Sequence, residues 1–125
     1  MALQRFMFNI CSDDLPGSRD FYVRLFGFQI NFDSDWFIQL KDADQPFELG
    51  IIDRTHEMVP EDFQAHPEGI YPTFVVEDVE VQYQIAQEAG YTIVAPPIDT
   101  FYGQRRLLLK DPNGMLVDVS SLMKN

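Results

Sequence analysis

Two acids and two arginines are the side chains of this sequence best suited to chemistry in a pocket. Glu48 lies in Phe-Glu-Leu-Gly-Ile-Ile and Asp118 in Met-Leu-Val-Asp-Val-Ser. Phe47, Leu49 and Ile51, like Met115, Val117 and Val119, suit the covered face of a sheet. Alternation then turns Glu48, Gly50 and Ile52, and Leu116, Asp118 and Ser120, to the other face. A carboxylate among apolar neighbours is costly without a partner or a task. The two acids are therefore candidates for acid–base work, unless both are simply solvated at an exposed edge. Arg105 and Arg106 are adjacent on one predicted strand, so only one faces inward, and the pattern leaves open which. The inward one can neutralise Glu48 or Asp118, or fork onto a ligand carboxylate or phosphonate. Arg5 is a third candidate for the same role.

Other reactive side chains are few. His56 and His66, the only histidines, fall in or beside a polar stretch and are expected to be solvated, although a small shift of strand register brings His66 towards the acids. Cys11 is a lone thiol without a basic partner in sequence, which favours an inert, buried side chain over a nucleophile. Trp36, Phe37, Tyr71, Phe101 and Tyr102 are candidate pocket walls, whereas Phe6, Phe8, Phe21, Phe26 and Phe74 have core parity. Phosphate-binding loops, dinucleotide fingerprints, paired-cysteine motifs and nucleophile elbows do not occur.

The elements that must position these groups recur twice. Residues 6–11 alternate as a strand. A helix follows, with Asp14 as N-cap, Pro16 in its first turn and Gly27 as left-handed C-cap. Strands are then expected at 29–32, 36–41 and 47–52. After a linker holding Pro60 and Pro67, the series restarts with a strand at 70–76. The second helix is capped by Asp78 and Gly90 and carries Val81, Ile85 and Ala89 as its stripe. Strands at 91–94, 105–110 and 115–120 complete it, with Pro96-Pro97 and Asp111-Pro112-Asn113-Gly114 as breaks. Phe26-Gly27-Phe28-Gln29-Ile30 parallels Ala89-Gly90-Tyr91-Thr92-Ile93, and Leu40-Lys41-Asp42 parallels Leu109-Lys110-Asp111. The expected fold is α+β: two β-α-β-β-β modules forming an eight-stranded, incompletely closed barrel-like sheet around a cavity. One domain spans 1–125, with module one at 1–53, a linker at 54–69 and module two at 70–125. Duplication would set Glu48 and Asp118 at equivalent positions, both facing the cavity.

Bulk properties narrow the partners. A formal net charge of −11 opposes binding to nucleic acid or anionic membranes. A hydrophobic content of 46% is ordinary for a globular chain. One cysteine excludes an internal disulfide. The opening MALQRFMFNI lacks the features of a signal peptide, and no apolar run approaches the roughly 20 residues of a membrane span, so a cytoplasmic location is expected.

Two stretches carry a family likeness. DLPGSRDFYVRLFGF, containing S-x-x-F-Y-x-x-x-F-G-F, and YGQRRLLLKDPNGMLVDV, containing G-x-R and D-P-x-G, resemble the vicinal oxygen chelate superfamily. That superfamily includes glyoxalase I, extradiol dioxygenases, fosfomycin-resistance enzymes and bleomycin-resistance proteins. The likeness implies a homodimer, and in metal-dependent members four inward ligands for a divalent cation. The corresponding positions are Met7, Glu48, Tyr71 and Asp118. Met7 and Tyr71 replace the usual His, Gln or Glu by a soft thioether and a weak phenol. The first reading is thus a metal-free small-molecule binding protein, its ligand held by Met7, Trp36, Tyr71, Tyr102 and either Arg105 or Arg106. The second is a metal-dependent glyoxalase-like or dioxygenase enzyme, with Glu48 and Asp118 as metal ligands and base and His66 as a possible further ligand.

Overall fold

A computed structural model describes residues 2–123. Its elements run β1 (Phe8–Ser12), α1 (Leu15–Phe26), β2 (Gln29–Asp33), β3 (Phe37–Lys41), β4 (Glu48–Asp53), a 3-10 turn (Glu61–Phe63), β5 (Thr73–Val75), α2 (Val79–Ala89), β6 (Thr92–Asp99), β7 (Gln104–Lys110) and β8 (Leu116–Leu122). The chain is α+β, and its strands form two four-stranded sheets ordered β1-β4-β3-β2 and β5-β8-β7-β6. Two compact units meet in the chain at Pro67/Glu68, so residues 54–67 belong with the first. Among the described residues no helix is long and apolar enough to cross a membrane.

In the first unit β1 pairs parallel with β4, and β3 runs antiparallel to both β2 and β4. The parallel pair needs a crossover, which α1 supplies. Asp14 accepts a hydrogen bond from the Gly17 N–H at 3.0 Å, and Gly27 ends the helix at φ 72°, a conformation only glycine adopts cheaply. Phe21, Tyr22 and Leu25 are buried on the face of α1 that packs against β3 and β4. Ile10, Ile38, Leu40, Leu49 and Ile51 meet them from the sheet. The expected parity therefore holds for Leu49 and Ile51. It fails for Phe6 and Phe47, both exposed, because each precedes the paired length of its strand and so has no sheet face to cover it.

The second unit repeats the plan. β5 pairs parallel with β8, and β7 runs antiparallel to β6 and β8. Asp78 caps α2 through the Glu80 N–H at 3.0 Å, and Gly90 closes it at φ 74°. The buried residues of α2 are Val79 and Ala86, two turns apart on one face, while the expected Val81 is exposed. Leu107, Leu109, Val117 and Val119 form the sheet side of this core, and all are fully buried. Pro96-Pro97 does not end the sixth strand, contrary to the sequence expectation. β6 continues to Asp99, because it is an edge strand whose register slips between Ile93 and Ile98 and so dispenses with the missing N–H groups.

Candidate functional site

The open face of each sheet, the one opposite its helix, carries an arginine–carboxylate pair. In the first unit Glu48 begins β4, and Arg5 reaches it from the segment before β1. Arg5 Nε donates to Oε2 at 2.7 Å and Nη2 to Oε1 at 2.5 Å. This is the two-point fork that planar guanidinium and carboxylate groups allow. Gln39 Nε2 also donates to Oε1, and Asn31 Nδ2 in turn donates to Gln39 Oε1 at 2.8 Å. The Glu48 side chain is only 8% exposed. Its pKa falls from 4.5 to about 2, chiefly through the Arg5 hydrogen bonds, with Gln39 and the charges of Arg5 and Lys41 adding to them against a burial effect of opposite sign. One step before the Phe8–Leu49 register, Met7 flanks the pair, its Sδ 4.0 Å from Arg5 Nη2. Gly50 lies in the same face. A Cβ there would stand 2.0 Å from Asn9 Oδ1 and 2.9 Å from Phe37 Cε1, so the missing side chain is what lets Asn9 fold across β4.

In the second unit Asp118 is 6% exposed and accepts three hydrogen bonds. Thr73 Oγ1 donates to Oδ2 at 2.8 Å, Ser120 Oγ to Oδ1 at 3.0 Å and Arg106 Nε to Oδ1 at 3.1 Å. The choice between the arginines is thereby made: Arg106 shares the face of Asp118. Arg105 turns the other way, to Glu80 of α2 at 2.7 Å and Asp99 at 3.0 Å. Burial weakens the charged form of Arg106, but the hydrogen bond and charge of Asp118, with the nearby phenols of Tyr102 and Tyr71, more than restore it, and its pKa is raised. Tyr71 and Tyr102 are 47% and 51% exposed.

Glu48 and Asp118 do not occupy equivalent positions, contrary to the expectation from the repeat. Lys41 faces Glu48, whereas its counterpart Lys110 faces Leu116. In the parallel pairs Asn9 faces Gly50, and Thr73 faces Asp118. Leu116 is therefore the counterpart of Glu48, and Gly50 that of Asp118. Parity cannot detect such an offset, because a slip of two residues leaves every side chain on the same face.

The remaining candidates are placed elsewhere. His66 Nε2 donates to Asp13 Oδ2 at 2.5 Å, and Arg54 Nε holds Oδ1 at 2.8 Å. This cluster lies just past Ser12, the end of β1 that pairs with Asp53, about 16 Å along the strand from Glu48 by the usual rise. The Asp13 pKa is lowered, first by the His66 bond and further by Arg54. Trp36 stacks on His56 with ring centroids 4.1 Å apart, so its indole is already engaged. His56 Nδ1 accepts the Met58 N–H at 3.1 Å. Cys11 is half-buried, and burial raises its pKa, with Arg54 opposing weakly. The sequence reading missed Gln39 and Thr73, although both follow from strand pairing: Thr73 is directly opposite Asp118, and Gln39, opposite Gly50, is the diagonal same-face neighbour of Glu48.

These donor sets do not suit a tightly held divalent ion. Among the described residues no three His, Cys, Asp or Glu side chains converge. Both Glu48 oxygens already answer a guanidinium, and Met7 beside it offers only a soft sulfur to hard cations. Binding a metal there means displacing Arg5 from a fork.

Duplicated β-α-β-β-β modules with helix-capping glycines at matching points define a class, and comparison with known proteins names it. The family model of the Glyoxalase/Bleomycin resistance protein/Dioxygenase superfamily matches residues 3–119, and the chain belongs to this superfamily. No curated protein matches the sequence. Among solved structures, a glyoxalase/bleomycin resistance protein/dioxygenase family enzyme from Burkholderia phytofirmans PsJN is 22% identical, with a TM-score of 0.78 over 94% of this chain and 97% of that one. A superfamily member from Sphaerobacter thermophilus DSM 20745 is 22% identical, with a TM-score of 0.76 over 96% and 98%. A glyoxalase-related enzyme from Fulvimarina pelagi is 19% identical, with a TM-score of 0.78 over 95% and 88%. Likeness at this identity establishes the fold alone.

Proposed function

We propose that this chain is a small-molecule binding protein of the glyoxalase/bleomycin-resistance type that works without a tightly bound metal. The observation that carries the reading is the Arg5–Glu48 fork: the carboxylate best placed to hold a cation already holds one, supplied by the chain itself. Asp118 is likewise satisfied by Arg106, Thr73 and Ser120. Glu48 is not poised as a general base, since it is held at about 2 and a base of that strength abstracts protons poorly near neutrality. Tyr71 and Tyr102, half exposed in the second unit, offer aromatic surface in addition to these fixed polar groups, a combination that suits a small planar ligand. Thermal shift against a panel of planar and amphipathic compounds, run with and without a chelator, tests the reading. Stabilisation by at least one compound that persists in chelator supports it. Stabilisation that needs added Mn, Ni or Zn contradicts it.

A further inference from the structure

Five arginines donate side-chain hydrogen bonds to described residues, and they use their donors unequally. Arg5, Arg19, Arg54 and Arg105 each commit two guanidinium nitrogens to protein oxygens. Arg106 commits one, Nε, to Asp118. Its Nη1 and Nη2 donate to no described residue, and its side chain is 28% exposed. Those two nitrogens carry four N–H groups, of which the parallel pair matches the two oxygens of a carboxylate. Asp118 is fastened on three sides by Thr73, Ser120 and Arg106 itself, so the guanidinium is anchored at Nε and presents a fixed outer edge. Tyr71, next to Pro72 whose carbonyl accepts the Asp118 N–H, and Tyr102, in the turn that leads into β7, are half exposed and supply flat apolar surface near Arg106, whose charge their phenols also favour. With a whole-chain charge of −11, an uncommitted cationic edge is scarce on this protein, and over distances beyond about 8 Å salt screens the surrounding acids.

We infer that the open face of the second sheet is a receptor for a small aromatic carboxylate, its carboxylate on the Nη edge of Arg106 and its ring against Tyr71 and Tyr102. The inference rests on the metal-free binding reading above and names the ligand class for it. Asp118 is a positioning residue here, acting through Arg106 rather than on the ligand.

Calorimetric titration of the full chain in chelator with benzoate, and separately with the isosteric neutral benzamide, tests it. Benzoate is expected to bind about tenfold or more tighter than benzamide, the ratio that one charge-assisted fork supplies. Arg106→Gln is expected to abolish that preference. Should this variant unfold because Asp118 loses its counter-charge, R106Q/D118N replaces the ion pair by two amides and reads the same preference. Y71A/Y102A is expected to weaken both ligands alike and leave their ratio unchanged. Equal binding of benzoate and benzamide, a preference that survives in folded R106Q/D118N, or no benzoate binding at millimolar concentration overturns the inference. Equal binding in chelator would leave the metal-free reading standing, whereas a stoichiometric divalent ion in the purified protein would remove that reading first.

Discussion

Arg5 and Glu48, 43 residues apart in sequence, close on each other through two charge-assisted hydrogen bonds at the start of the first parallel strand pair. The pair fastens the segment before β1 to β4, and Gln39 extends it to β3. Its acid dependence follows from sign. The Glu48 pKa is depressed from 4.5 to about 2, so its contribution to stability is complete above about 4.5 and is lost as pH falls towards 2. Denaturant unfolding of the wild type and Glu48→Gln should therefore differ most at neutral pH and converge over that window. A gap that stays constant down to pH 2 would mean the fork contributes nothing in solution.

Asp118 gives a larger effect because it is nearly covered and satisfies three donors. Asp118→Ala should cost about 2–3 kcal/mol, since it leaves Thr73, Ser120 and a half-buried guanidinium without an acceptor. Asp118→Asn should cost less, and chemical denaturation separates the two.

Much of this was readable beforehand, and what was not has identifiable causes. Asp14, Gly27, Asp78 and Gly90 are local signals, and all four cap helices as expected. The face of Leu49, Ile51, Val117 and Val119 followed from alternation alone. Alternation also misled, because it is blind to a two-residue slip and so equated Glu48 with Asp118. Pro96-Pro97 reads as a break unless the strand is known to lie at an edge, which is a property of the sheet. Arg105 and Arg106 could be separated only once Arg106 was seen opposite Ser120 and Arg105 beside Glu80.

Gly50 tests the polar face of the first sheet. Its missing Cβ makes room for Asn9, 2.0 Å from where that carbon would be, with Phe37 close behind. Gly50→Ala should destabilise by about 1–3 kcal/mol through overpacking. Adding Asn9→Ala should recover part of that loss, since the nearest clash is with a side-chain tip. A double-mutant cycle with no coupling would show that Asn9 does not lie across β4.

Cys11 should react slowly. Its pKa is raised by burial, which lowers the thiolate fraction at neutral pH. Labelling of the native protein with a disulfide reagent should run well below the rate for unfolded chain and quicken with rising pH. Labelling at or above the unfolded rate would reopen a nucleophilic role.

Whether the chain's own guanidinium stands in for a metal at Glu48 is decided by elemental analysis of protein purified without chelator, for the wild type and for Arg5→Ala. The wild type should carry divalent transition metal far below one equivalent, and removing Arg5 should raise its affinity for added Mn or Ni by freeing Glu48. One tightly held equivalent in the wild type, lost in Glu48→Gln, would contradict the account.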